Sequence, residues 1–387
     1  MAVPHFTNHL PVRIEFGAGS VAHLEDIAQE IGAHRVAVIG DPVVLGLPNV
    51  RSILVALSGR GSVEEITVAP GEPTIESVDA VGAQLRTFDP DLVVAIGGGS
   101  ALDTGKGARA LLKNPGSISL YSWPGDPQPL VGPDIPLVTV PTTSGTGSEV
   151  TGGVVMTDTS KAAKVAAPSP LNRAQYCLVD PELTLGLPPG PTLWGGLDAL
   201  GQAIGSVIAK VHTPVGDGVG LEAIRLTRSA LPKVLADPSD IDARSDMACA
   251  ALLAGLAMNV SESGTEHSLA HPLGSIHHLP HGLTVGLMLA ESMDHDRQYE
   301  PERFERIADA MGAAPSVTSD GSRAVAAVRE FLAEVGCPTL TGSGVTESDV
   351  DALVTCAIEG WIPVEPGPWS ADDVRSAYQR ALAITTR

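Results

Sequence analysis

The chain has 387 residues, 43% hydrophobic and 18% charged, with a net charge of −21. That is enough apolar material for two packed domains, and a field that excludes nucleic acid as a partner by repelling phosphate. Four cysteines without a C-x-x-C pair, an N-terminus (MAVPHFTNHL) without the regions of a signal peptide, and no apolar run near the ~18 residues of a membrane span predict a cytoplasmic, membrane-free protein.

In the first half, short β-branched runs at 13–16, 35–39, 64–68, 92–96 and 137–140 read as strands. Segments 21–31 and 75–88 lie between them, with apolar residues at helical spacing. Buried strands separated by helices predict a mostly parallel, Rossmann-like sheet with helices on both faces. Three glycine-rich segments follow strands. Gly17-Ala18-Gly19-Ser20-Val21-Ala22 fits GxGxxA, with Asp41 after the next strand, yet such a motif is as readily a plain tight turn. Gly97-Gly98-Gly99-Ser100 opens a helix carrying Asp103 and Lys106, where close backbone approach and free N–H groups suit a diphosphate. The run from Pro141 to Thr151, with Thr142, Thr143 and Thr146, supplies uncharged donors and acceptors for a nucleotide wall.

Leu187-Pro188-Pro189-Gly190-Pro191 reads as a breaker, and beyond it Ala/Leu-rich helical patterns at 192–210, 218–231, 241–258 and 348–357 replace the strands. The expected division is an α/β dinucleotide-binding domain at 1–189 and an all-α metal and substrate domain at 190–387. Five of the eleven histidines fall at His267, His271, His277, His278 and His281. His267 and His271 are four residues apart, on one helix face, and so dense a cluster points to a metal. Asp198 is the candidate anionic ligand, and nitrogen with carboxylate suits Zn²⁺ or Fe²⁺.

These motifs, taken in order, resemble the iron-containing alcohol dehydrogenases over nearly the whole chain. The matching residues are Phe16-Gly17, Gly97 to Ser100 with Asp103 and Lys106, Pro141-Thr142-Thr143 running to Thr151, Asp180-Pro181-Glu182-Leu183, Asp198-Ala199-Leu200, His267-x-x-x-His271, and Pro280-His281-Gly282. The resemblance implies that the glycine triplet and Ser100 hold the pyrophosphate, that Thr142, Thr143 and Thr146 line the nucleotide, that Lys164 lies near the nicotinamide ribose and Leu183 against adenine, and that the Gly17–Gly19 turn is structural. It places Asp41 where family members that prefer NAD over NADP carry an acid. It makes Asp198, His267 and His281 metal ligands and His271 the proton relay beside them. A homodimer acting on a small alcohol or aldehyde is implied as well.

One residue departs from the pattern. Iron-type members carry a histidine four residues after the aspartate, and here that position is Gln202. Three readings stay open: a three-residue site completed by water, weak ligation through the Gln202 oxygen, or no metal at all. Two other functions compete with the dehydrogenase. A lyase or cyclase of the dehydroquinate synthase type needs Lys and Arg to grip a sugar phosphate, and residues 255–294 contain neither. A non-catalytic nucleotide-binding protein would account for the missing histidine but not for a retained proton relay.

Overall fold

The β-branched runs of the first half become strands β1 (Arg13–Phe16), β2 (Arg35–Gly40), β3 (Ser62–Thr67), β4 (Leu92–Gly97) and β5 (Leu137–Pro141), followed by β6 (Val155–Asp158), β7 (Ala163–Ala166) and β8 (Tyr176–Val179). This computed structural model describes residues 6–10, 12–161, 163–261, 264–359 and 366–384; the N-terminal reading of residues 1–5 lies outside them. Among the described residues, six strands form one parallel sheet in the order β1-β8-β5-β4-β2-β3, and β6 and β7 pair as an antiparallel hairpin. The sequence reading missed β6, β7 and β8. Each is four residues long, too short for a period to show, and β6 and β7 mix polar with apolar residues.

Helices α1 (His23–Glu30), α2 (Pro42–Leu45), α3 (Pro48–Ser58), α4 (Ile75–Phe88) and α5 (Gly99–Ala110) connect the strands. Side chains alternate across a strand, so Val94 and Ile96 of β4 join a cluster with Leu24 and Leu54, while Val93 and Ala95 join one with Leu85 and Leu102. Both faces are covered, which is why these strands read as continuous apolar runs.

The rest is helical: α6 (Pro189–Ile208), α7 (Pro214–Ala236), α8 (Ile241–Met258), α9 (Thr265–His277), α10 (His281–Asp296), α11 (Pro301–Ala310), α12 (Ser322–Glu334), α13 (Val350–Glu359) and α14 (Ala371–Ala383). The proline run read as a breaker instead starts α6. Pro189 and Pro191 sit in its first turn, where no N–H is needed and the fixed φ suits a helix. Contacts divide the chain into one unit at Leu10–Gly186 and a second holding Leu187 onward with residues 6–9. The second unit's cores gather Leu200, Ile204, Met247 and Phe304, and separately Leu269, Leu273 and Tyr378. Among the described residues no helix is long and apolar enough to cross a membrane.

Candidate active site

In the sheet unit the strand order itself makes a crevice. The chain passes from β2 outward to β3, then returns across β2 to β4, so the loops leaving the carboxyl ends of β2 and β4 diverge. Gly40 of β2 is level with Ile96 of β4, which places Asp41 and Gly97 on either side of that opening. Gly97 has φ +149°, a conformation that favours glycine, and Gly98 caps α5 without any side-chain hydrogen bond. The first turn of α5 therefore presents backbone N–H groups to an incoming anion. A Cβ on Gly99 would come within 2.7 Å of Thr146, so glycine here lets the threonine-rich loop lie against the helix. That loop begins with Thr142, whose N–H donates to Gly97 O at 3.0 Å.

Asp103 acts through the same loop. Its carboxylate accepts from Ser148 Oγ at 2.5 Å and Val155 N–H at 2.9 Å, and it pairs with Lys106 at 2.8 Å. Lys106, fully buried, also donates to Ser148 O and Thr151 O. These two residues clamp the wall from beneath. Asp41 caps α2, accepting from the N–H groups of Val43 and Val44 through one oxygen. Leu183 is buried in the sheet-face core with Val38 and Val140. Lys164 lies on the separate hairpin, ion-paired with Glu72 at 2.5 Å. The Gly17–Gly19 turn is already filled: Asp180 accepts from Gly19 N–H and Val21 N–H, both at 3.1 Å, so the donors a phosphate would need are taken. This role for Asp180 was not foreseen from sequence.

In the helical unit, Asp198 on α6, His267 on α9 and His281 at the start of α10 each offer an atom within 4.8 Å of the others. Gly282 permits this: a Cβ there would fall 2.0 Å from Trp194 O, so only glycine lets α10 begin against α6. Asp198 Oδ1 lies 3.5 Å from His267 Nε2 and 3.6 Å from His281 Nε2, and it accepts no hydrogen bond. Those separations exceed hydrogen bonds but match a shared cation, since bonds of about 2.1 Å in a tetrahedron hold neighbouring donors roughly 3.4 Å apart. The electrostatics agree. Burial opposes charge on His267, yet Asp198 and Glu266 outweigh it and raise its pKa to about 10. The pocket thus favours positive charge where the three donors meet. The residues present fit a divalent metal.

Exposure grows outward through the set, from Asp198 and His267, both buried, to His281, whose side chain is 29% exposed. His271, one turn beyond His267 and half-buried, has its ring 5.8 Å from that of His281, centroid to centroid. Gln202 is buried on α6 four residues after Asp198, which places it on the same face. His277 stands 3.7 Å from Asp349 and His278 caps α9 in a left-handed conformation, and neither belongs to the convergent set. Glu266, absent from the sequence reading, is fully buried and bonded to His267 Nδ1 at 2.8 Å. Its only sequence signal is its place next to His267.

Known proteins match both halves of the chain. The pattern of the family described as iron-containing alcohol dehydrogenase matches residues 11–181, and that of the family's C-terminal part matches residues 192–382. The chain is 35% identical to long-chain-alcohol dehydrogenase 1 of Geobacillus thermodenitrificans over 95% of each chain. It is 31% identical to choline dehydrogenase of Bacillus subtilis, over 90% of this chain and 87% of that one. The solved structure of sulfoacetaldehyde reductase from Bifidobacterium kashiwanohense with NAD+ superposes with a TM-score of 0.90 at 28% identity, covering 99% of this chain and all of that one. The chain belongs to the iron-containing alcohol dehydrogenase family, and its reaction is the nicotinamide-linked exchange of a hydride between an alcohol and its carbonyl counterpart.

Proposed function

We propose that this enzyme acts on small neutral alcohols and aldehydes, prefers NAD to NADP, and uses Fe²⁺ or Zn²⁺ held by Asp198, His267 and His281. The observation that carries this reading is the convergence of that carboxylate and two imidazoles with an unbonded Asp198 oxygen between them. When bound, the cation would supply Lewis acidity toward an alcohol oxygen and the nicotinamide would supply hydride-transfer chemistry. The chain's own residues do the rest. The first turn of α5, with Gly97, Gly98, Gly99 and Ser100, holds the pyrophosphate, and Thr142, Thr143 and Thr146 line the dinucleotide, with Asp103 fixing that wall from below. Lys164 and Leu183 serve the nicotinamide ribose and the adenine. Asp41 has one carboxylate oxygen engaged in capping α2, and the other accepts from a free 2′-hydroxyl and repels a 2′-phosphate. His271 takes the hydroxyl proton outward, imidazole being suited to proton transfer near neutral pH.

Residues 255–294, which carry His267, His271 and His281, contain no Lys or Arg, so nothing there grips a phosphorylated substrate. Gln202 completes the metal shell through its amide oxygen or leaves that position to water. A homodimer in the cytoplasm completes the reading; its four cysteines are free thiols, as in a reducing compartment. Protein stripped with chelator and reloaded with Fe²⁺ or Zn²⁺ is to be assayed with NAD and a series of primary alcohols. Turnover is expected only after reloading. Undiminished turnover in metal-free protein removes this reading.

A further inference from the structure

Hydride transfer does not by itself explain the carboxylate buried behind the metal set. Glu266 is the second residue of α9 and has no exposed surface. Its Oε1 lies 2.8 Å from His267 Nδ1, while its Oε2 is buried with no hydrogen-bond partner. A buried carboxylate so sparsely satisfied is costly to keep, and an apolar side chain would fill the same space more favourably.

The surrounding backbone is shaped to admit it. A Cβ on Gly264 would stand 2.3 Å from Glu266 Oε2, and one on Gly205 of α6 would stand 2.9 Å from Oε1. Gly264 is thus held to glycine by the carboxylate, while at Gly205 the backbone nitrogen of Gly264, 2.4 Å from where a Cβ would stand, is closer still. The close approach of Gly205 to Gly264 is a matter of packing, but the carboxylate also sets the direction of the His267 ring. With Nδ1–H donating to Oε1, the lone pair falls on Nε2, the atom 3.5 Å from Asp198 Oδ1. The opposite tautomer would turn an N–H toward the metal.

We infer that Glu266 is a positioning residue, whose bond to Nδ1 holds His267 with Nε2 toward the cation and whose charge offsets the replacement of a third imidazole by Gln202. This rests on the metal reading above. Behind a ligand set one imidazole short, a full carboxylate makes the His267 imidazole a stronger donor than a carbonyl partner would.

The test uses the full-length protein and the nearly isosteric Glu266→Gln. Zn²⁺ affinity is measured by chelator competition, the Co²⁺-loaded protein by its visible spectrum, and the metal-free fold by thermal melting. Zn²⁺ binding is expected to weaken by about 10–100-fold, and the Co²⁺ bands to shift, with metal-free melting unchanged. Glu266→Asp keeps the charge but withdraws it by one methylene, and its Zn²⁺ affinity is expected to fall between the two. Equal Zn²⁺ affinity and an identical Co²⁺ spectrum in Glu266→Gln overturn the inference and leave the metal reading standing. Lowered metal-free melting without a change in Zn²⁺ affinity assigns Glu266 to structure alone and also overturns it. A wild-type protein that takes up neither ion overturns both.

Discussion

The two halves of this enzyme build their sites from different material. At the carboxyl ends of β2 and β4 the proposed nucleotide site is mostly backbone: a glycine turn, the first N–H groups of α5 and a loop of hydroxyls, with the charged Asp103 and Lys106 turned beneath it to hold the loop. At the meeting of α6, α9 and α10 the proposed metal site is all side chain, and one of its donors, His267, is held from behind by Glu266. A large anion can be held by many weak, uncharged contacts, whereas one small cation needs a few atoms placed to a fraction of an ångström. Damage should therefore be graded in the first site and abrupt in the second.

The strongest break of that contrast is Asp198→Ala. Losing the charged ligand removes several kcal/mol of transition-state stabilisation, a fall of about a thousandfold in kcat/KM. Metal content should disappear while NAD affinity stays within about twofold, a separation that calorimetry on the variant checks.

On the nucleotide side the next effect appears in stability. Burial pushes the Glu149 carboxyl up to about 7 from its ordinary 4.5, with its backbone hydrogen bond and Lys106 relieving part of the strain. Between those values the unfolded chain has released a proton that the folded chain keeps, so the folded state loses stability as pH rises through that window and regains it below. Glu149→Gln should match wild type near pH 4 and exceed it near pH 8 by an amount on the order of 3 kcal/mol at most. Thermal melting across pH checks this, and a constant difference would contradict it.

Gln202→His should tighten metal binding by at least about tenfold, since a ligand is worth no less than an outer partner; an unchanged dissociation constant means residue 202 does not face the ion. The smallest effect is expected from Asp41→Asn, which preserves the helix cap but removes the charge. The preference for NAD over NADP should fall by about tenfold, the value of a hydrogen bond to a charged acceptor. A preference that stays the same places the ribose elsewhere.

How much of this could be read in the sequence depends on how local each feature is. Helices α4 and α8 and strand β1 lie where periodicity and flanking breakers place them. The start of α6 was hidden because proline ends a helix in one context and opens it in another. His267 and His271 announced themselves by their spacing, whereas Asp198 was named only as the carboxylate such a pair would need, and the family resemblance then singled it out. Its approach to His281 depends on Gly282 lying against Trp194, a contact between distant parts of the chain that nothing local marks. Glu266 left only its place next to His267, which is weak, since adjacent residues on a helix point about 100° apart and a Glu-His pair carries no pattern. It sits in the first turn of α9, where its carboxylate meets Nδ1 of His267.

The most direct measurement is anomalous diffraction from crystals of protein loaded with Fe²⁺ or Zn²⁺, recorded on both sides of the metal's absorption edge. The account predicts a single strong peak bonded to Asp198 Oδ1, His267 Nε2 and His281 Nε2. A peak centred on other residues, or none after loading, contradicts it.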